Sequence, residues 1–97
     1  MADSFWSAHR DFPFRIVTSF VGGGRVYIGA LRNSDAGTDD NMFRCFDAEW
    51  NELWHRSVEL DPAGIGFHPS GILTLATHIV KRAGSLCRVD AGTGRLA

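Results

Sequence analysis

Phe46-Asp47-Ala48-Glu49-Trp50-Asn51-Glu52-Leu53 returns later in the chain as Val89-Asp90-Ala91-Gly92-Thr93-Gly94-Arg95-Leu96. Asp47 and Asp90 stand 43 residues apart. Upstream, Gly24-Arg25-Val26-Tyr27-Ile28-Gly29-Ala30 matches Ser70-Gly71-Ile72-Leu73-Thr74-Leu75-Ala76, with Val26 and Ile72 separated by 46 residues. The first copy therefore carries extra loop residues. Both copies consist of short β-branched or aromatic runs bounded by Gly, Pro, Asn or Asp, which read as strands and reversals. In the first copy the strands are residues 14–21, 25–31, 42–47 and 52–58. Gly22-Gly23-Gly24 supplies positive φ for a tight reversal there. In the second copy they are residues 65–68, 72–80 and 85–90, with a break at Asp61-Pro62-Ala63-Gly64. Turns follow at Pro69-Ser70-Gly71 and Asp90-Ala91-Gly92-Thr93-Gly94. Local propensity over residues 47–58 would permit a helix. Its counterpart holds Gly92 and Gly94 and reads as a turn, so the expected fold is all-β.

A repeat of about 40–45 residues built from short strands is the period of a β-propeller blade. The expectation is a single domain over residues 1–97 with two four-stranded antiparallel blades, residues 11–60 and residues 61–97. In the second copy the fourth strand only begins, at Arg95-Leu96-Ala97. Ser4-Phe5-Trp6-Ser7-Ala8-His9-Arg10 resembles Leu53-Trp54-His55-Arg56. Residues 1–10 of a neighbouring subunit are therefore expected to complete the second blade. A blade is apolar on both faces, and two alone would leave faces and strand edges in water. Burial at about 25 cal/mol per Å2 favours their association. The ring is expected to close by head-to-tail homo-oligomerisation. Rings of about four to eight blades are typical; a trimer is expected, with a tetramer or dimer as alternatives. Phe5, Trp6, Val89 and Leu96 are the residues assigned to assembly. A piece of a longer propeller and a non-propeller sandwich are the competing architectures.

The two turn segments resemble blade ends of the pyrroloquinoline-quinone-like propeller repeat, which reads roughly apolar-Asp-Ala-x-Thr-Gly-x-Leu-Trp. Gly24-Arg25-Val26-Tyr27-Ile28-Gly29 resembles its inner strand. Phe67-His68-Pro69-Ser70-Gly71-Ile72-Leu73 is similar to the WD-repeat type. The resemblance spans residues 14–97 and implies architecture rather than activity. Trp50-Asn51 stands where that pattern has Thr-Gly, and Ala97 where it has Trp. No cofactor-binding constellation carries over, and none is expected.

Ten basic and eleven acidic residues leave a formal charge of −1. A phosphate-tracking nucleic-acid binder would need a basic excess, and nothing here favours an anionic membrane. The leading residues Met1-Ala2-Asp3-Ser4-Phe5-Trp6 contain no basic region followed by an apolar run. No stretch approaches the ~18 apolar residues that span a bilayer. The expected location is the cytoplasm, with Cys45 and Cys87 as reduced, largely buried thiols. In the 43-residue register Cys45 matches Arg88 and Cys87 matches Arg44. The two thiols thus belong to opposite strand faces.

Catalytic chemistry has no support. His9, His55, His68 and His78 form no short His or Cys/His cluster, and no nucleophile elbow is present. The loop around Asp35, Asp39 and Asp40 is oxygen-rich enough for Ca2+, but the twelfth position counted from Asn33 is Arg44 rather than an acid. A solvated surface loop is the simpler reading. Trp50 at a turn is either a packing anchor or a stacking platform for a ligand, with Glu49 beside it. Trp6 and Trp54 read as outer-strand filler. The expected function is a non-enzymatic binding or interaction scaffold, taking a protein or glycan ligand. A carbohydrate-binding lectin with sites at blade junctions is the alternative.

Overall fold

The structure, a computed structural model, describes residues 11–31, 41–78 and 83–97. Among these residues there are seven strands and no helix. They are β1 (Arg15–Gly22), β2 (Arg25–Leu31), β3 (Asn41–Asp47), β4 (Glu52–Val58), β5 (Asp61–His68), β6 (Ile72–His78) and β7 (Gly84–Asp90). Two antiparallel sheets result, in the orders β1-β2-β3-β4 and β5-β6-β7. The second has three strands rather than the expected four. A fourth is begun: Leu96 pairs with Val89, the Asp90 N–H donates to Arg95 O (2.8 Å), and the Ala97 N–H to Arg88 O (3.1 Å).

The expected break at Asp61-Pro62-Ala63-Gly64 is instead the first half of β5. Proline is tolerated here because β5 is the edge of its sheet and Pro62 stands beside a bulge. A bulge between Pro62 and Gly64 leaves Ala63 unpaired. Pro62 is buried and comes down on Gly29, where an added Cβ would lie 2.8 Å from Pro62 Cβ. A glycine in β2 thus lets the two sheets touch at their inner strands.

Across the gap β5 lies against β1, β2 and, less extensively, β3. Farther out, large side chains span from the first sheet to the second. Trp54 on β4 donates its Nε1–H to Ala91 O (2.9 Å), Arg25 donates to the same carbonyl (3.1 Å), and Arg56 to Gly94 O (3.4 Å). Tyr27, Phe43, Cys45 and Trp54 from one sheet meet Leu73, Leu75, Val89 and Ala91 from the other in one buried cluster, with Val58, Ile65 and Cys87 packed against it. Phe20 stacks on Phe67 at a centroid separation of 5.5 Å. Val26, Ile28 and Phe46 form a second cluster on the far face of the first sheet, under Phe12 and Trp50. That face is therefore not bare.

The two aspartate turns are built alike. Asp47 Oδ1 accepts the N–H groups of Glu49 and Asn51; Asp90 Oδ1 accepts those of Gly92 and Thr93. Arg25 pairs with Asp47, and Ile72 with Asp90. With the turns matched, the counterpart of Arg25 is Ile72, 47 residues on, and not Gly71 as the glycine pattern suggests. The reason is turn length. Two residues separate β1 from β2, and three separate β5 from β6. A one-residue slip sends every side chain to the opposite face. In the corrected register Val26, Ile28 and Phe46 correspond to Leu73, Leu75 and Val89. The first set faces away from the second sheet, whereas the second set faces the first sheet. Corresponding faces thus point the same way along the stack. Cys45 and Cys87 lie on non-corresponding faces, as expected, and for that reason both border the same inter-sheet core. Both thiols are free.

Candidate functional site

Trp50 closes the Asp47 turn with φ 66°, the left-handed region, where the Asp90 turn uses Gly94 at φ 73°. An L-residue there costs roughly 1–2 kcal/mol. Aromatic packing offsets the cost: the indole stands edge-on to Phe12 at 5.9 Å and to Phe46 at 6.2 Å. Phe12 stacks on Phe14 at 5.0 Å, and the Arg44 guanidinium lies 4.8 Å from the Phe14 centroid. Arg44 Nη1 donates to Glu52 Oε1 (2.6 Å), while His55 Nδ1 lies 3.0 Å from Glu52 Oε2. Partial burial works to raise the Glu52 carboxyl, but its bonds to Arg44 and His55 outweigh this and hold it below the ordinary range. Apart from His55, these side chains line a shallow cavity of about 320 Å3 on the far face of the first sheet.

Of the expected pair, Trp50 lines this cavity and Glu49 does not. Glu49 is exposed on the turn. Glu52 takes the acidic place, because a bulge between β3 and β4 sets it opposite Phe46. Sequence reasoning missed Phe12, Phe14, Arg44 and Glu52. The signal lay in the Phe12-Pro13-Phe14 run and in the shared face of Arg44 and Phe46 on β3.

A second cleft, about 370 Å3, opens on the far face of the second sheet, lined by His68, Ser70, Ile72, Thr74 and Arg88. His68 Nδ1 accepts the Ser70 N–H (3.1 Å) and lies 2.7 Å from its hydroxyl, which fixes the imidazole. Among the described residues no acidic side chain lines the cleft. Leu86, two residues before Arg88 on the same strand face, is 74% exposed.

The residues assigned to assembly differ in placement. Val89 is fully buried within the chain (0%) and Leu96 is 67% exposed. Phe5 and Trp6 lie outside the described residues, as do Asp35, Asp39 and Asp40. Among the described residues no group of three His, Cys, Asp or Glu side chains could hold a metal ion. Burial pushes the Cys45 thiol up to about 11, against the opposing influence of Arg25. That thiol is a poor nucleophile at neutral pH.

Comparison with known proteins finds no matching family model, no matching curated protein and no matching solved structure.

Proposed function

We propose that the chain contributes two blades to a β-propeller closed by self-association, and that the ring is a non-enzymatic binding scaffold. One observation carries the reading. Phe12 bears the same relation to the first sheet that Val58 bears to the second. Val58 packs on the cluster that includes Leu73, Leu75 and Val89. Phe12, 46 residues earlier, packs on Val26, Ile28 and Phe46, the counterparts of those three. Each segment leads through a two-residue link into the first strand of the sheet it covers: Val58 into β5, Phe12 into β1. The segment ahead of β1 thus lies where the last strand of a preceding blade would lie.

The stacking direction supports the same reading. A sandwich with equivalent inner faces would set Val26 opposite Leu73, but corresponding faces here point the same way, as blades around an axis do. Contact at the inner strands, with long side chains bridging farther out, suits a wedge. The far face of the second sheet, with Leu86 exposed, offers the surface for the next copy.

Native mass spectrometry and sedimentation at ten-micromolar protein test the proposal. The expected species is a closed multiple of the chain, a trimer foremost. Deleting residues 1–10 is expected to dissociate it into insoluble or unfolded chains. A folded monomer at that concentration would refute the ring.

The Trp50 cavity favours a second reading, a lectin, because aromatic faces beside Arg44 and Glu52 suit a sugar. A glycan array followed by Trp50→Ala tests it; no binding on the array removes it.

A further inference from the structure

We infer that the cleft on the far face of the second sheet binds a small phosphomonoester, with Arg88, Thr74 and His68 as donors to its phosphate. The inference concerns the single chain and does not depend on the ring proposed above.

Strand pairing places the residues. Gly66, Thr74 and Arg88 form one row across β5, β6 and β7. His68, Ile72 and Asp90 form the row on one side of it, and Gly64, Ala76 and Leu86 the row on the other. Paired side chains share a face. Leu73 and Leu75 face the inter-sheet core, so these three rows face away from it. Matched through the Asp turns, Gly66, Thr74, Arg88 and Ala97 stand where the first sheet has Phe20, Tyr27, Cys45 and Trp54. Those four side chains fill the gap between the sheets. Their counterparts in the second sheet are small, Arg88 excepted, and a cleft of about 370 Å3 lies on this face. Gly66 keeps its β5 side open: a Cβ added there would meet only Thr74, at 3.9 Å.

The lining consists of donors around an apolar floor. Among the described residues, Arg88 has no hydrogen-bond or ion-pair partner for its guanidinium, whereas Arg25, Arg44 and Arg56 each have one. Thr74, its ladder partner, supplies a hydroxyl, with Cβ atoms about 4.5–5.5 Å apart in such a pair. His68 Nδ1 accepts from Ser70, so the ring proton stands on Nε2, which is left to donate. Asp90 shares this face but does not line the cleft, and its Oδ1 accepts the N–H groups of Gly92 and Thr93. A permanent cation among neutral donors, with no acid in the lining to neutralise it, selects an oxyanion. These donors rise from three neighbouring strands rather than lying in one plane, which suits a tetrahedral phosphate better than a flat carboxylate. The volume falls within the range of small-molecule sites, about 300–1,000 Å3, and leaves room for an organic part beside the phosphate. Half-buried Ile72 gives that part an apolar surface. Exposed Leu86, the surface offered to a next copy, stands one row away and does not line the cleft.

NMR titration of the isotope-labelled chain at low salt is the test, with glycerol phosphate, inorganic phosphate and glycerate as probes. Glycerol phosphate is expected to give saturable shifts at the Ser70, Thr74 and Arg88 amides, with a Kd below about 1 mM. Inorganic phosphate is expected to shift the same amides with lower affinity, since it lacks the organic part, and glycerate to bind at least about tenfold more weakly than glycerol phosphate. Arg88→Ala is expected to weaken glycerol phosphate binding at least about tenfold. Its strand content by circular dichroism should be unchanged, because the side chain is exposed. Gly66→Leu leaves every donor in place and fills the hollow beside Thr74, and is expected to weaken binding by a similar factor. The absence of saturable shifts up to about 10 mM glycerol phosphate, or equal affinity in Arg88→Ala, overturns the inference. Glycerate bound as tightly as glycerol phosphate overturns the assignment to phosphate. The state of assembly enters none of these outcomes, so the cleft and the ring stand or fall separately.

Discussion

Gly94→Ala tests whether Trp54 holds the outer part of the gap between the sheets. Two separate costs fall on this position. Its φ of +73° is left-handed, which costs an L-residue roughly 1–2 kcal/mol. A Cβ there would also lie 2.5 Å from Trp54 Cδ2 and 3.0 Å from Cζ3. The ring would have to move, at about 1–3 kcal/mol for overpacking. The control is Gly23→Ala, with φ +61° and nothing within 4 Å of the added atom. It bears only the first cost. Urea unfolding at fixed protein concentration should give a loss of about 2–5 kcal/mol for Gly94→Ala and about 1–2 kcal/mol for Gly23→Ala. For a domain of this size each kcal/mol is worth about 4–8 °C in Tm. A cycle with Trp54→Phe sharpens the test. Phenylalanine lacks the outer indole atoms, so the double variant should lose at least about 0.5 kcal/mol less than the two single losses combined. The reasoning is refuted if Gly94→Ala and Gly23→Ala agree to within about 0.5 kcal/mol.

Gly29→Ala should be among the most damaging single changes, because its Cβ would fall within 2.7–2.9 Å of Thr18, Pro62 and Phe43 at once; a loss above about 2 kcal/mol is expected by thermal unfolding. Trp50→Gly relieves the left-handed backbone yet removes the ring from Phe12 and Phe46, and should lower Tm; a rise would mean that the aromatic contacts contribute less than the backbone strain. Stability should also fall on the alkaline side. Cys45 is held protonated to about 11 against an ordinary 9.0, so the unfolded chain releases this proton first, and the contribution is lost as pH rises from about 9 towards 11. Burial raises Tyr27 in the same direction. Urea midpoints measured between pH 8 and pH 11 should therefore fall less steeply in Cys45→Ala than in the wild type, and equal slopes would contradict the assignment.

The alternation of apolar strands and glycine- or aspartate-bounded turns was enough to read an all-β chain. β2 and β4 occur at the residues expected, and β1, β3, β6 and β7 close to theirs. The repeated Asp turns were legible because an aspartate that accepts its own downstream N–H groups is a local device. β5 was misjudged because Pro62 and Gly64 break a strand only where a ladder bond or side-chain contact is needed, and an edge strand needs fewer. The register between copies slipped because glycines mark a turn without stating its length. As for the candidate site, Trp50 was conspicuous as a tryptophan at a turn where the other copy has Thr93. Glu52 was not, since its place beside Phe46 depends on a bulge in the β3–β4 pairing.

Local chemistry, carried in the order of residues, was therefore sufficient for strand, turn and repeat, because each depends on a few adjacent side chains and their own backbone. Which face of each strand is buried, which carboxylate joins the aromatic rings, and that Cys45 and Cys87 border one core were decided only by tertiary structure. Those outcomes turn on the parity of strand pairing, and one residue more or less in a turn or bulge reverses them.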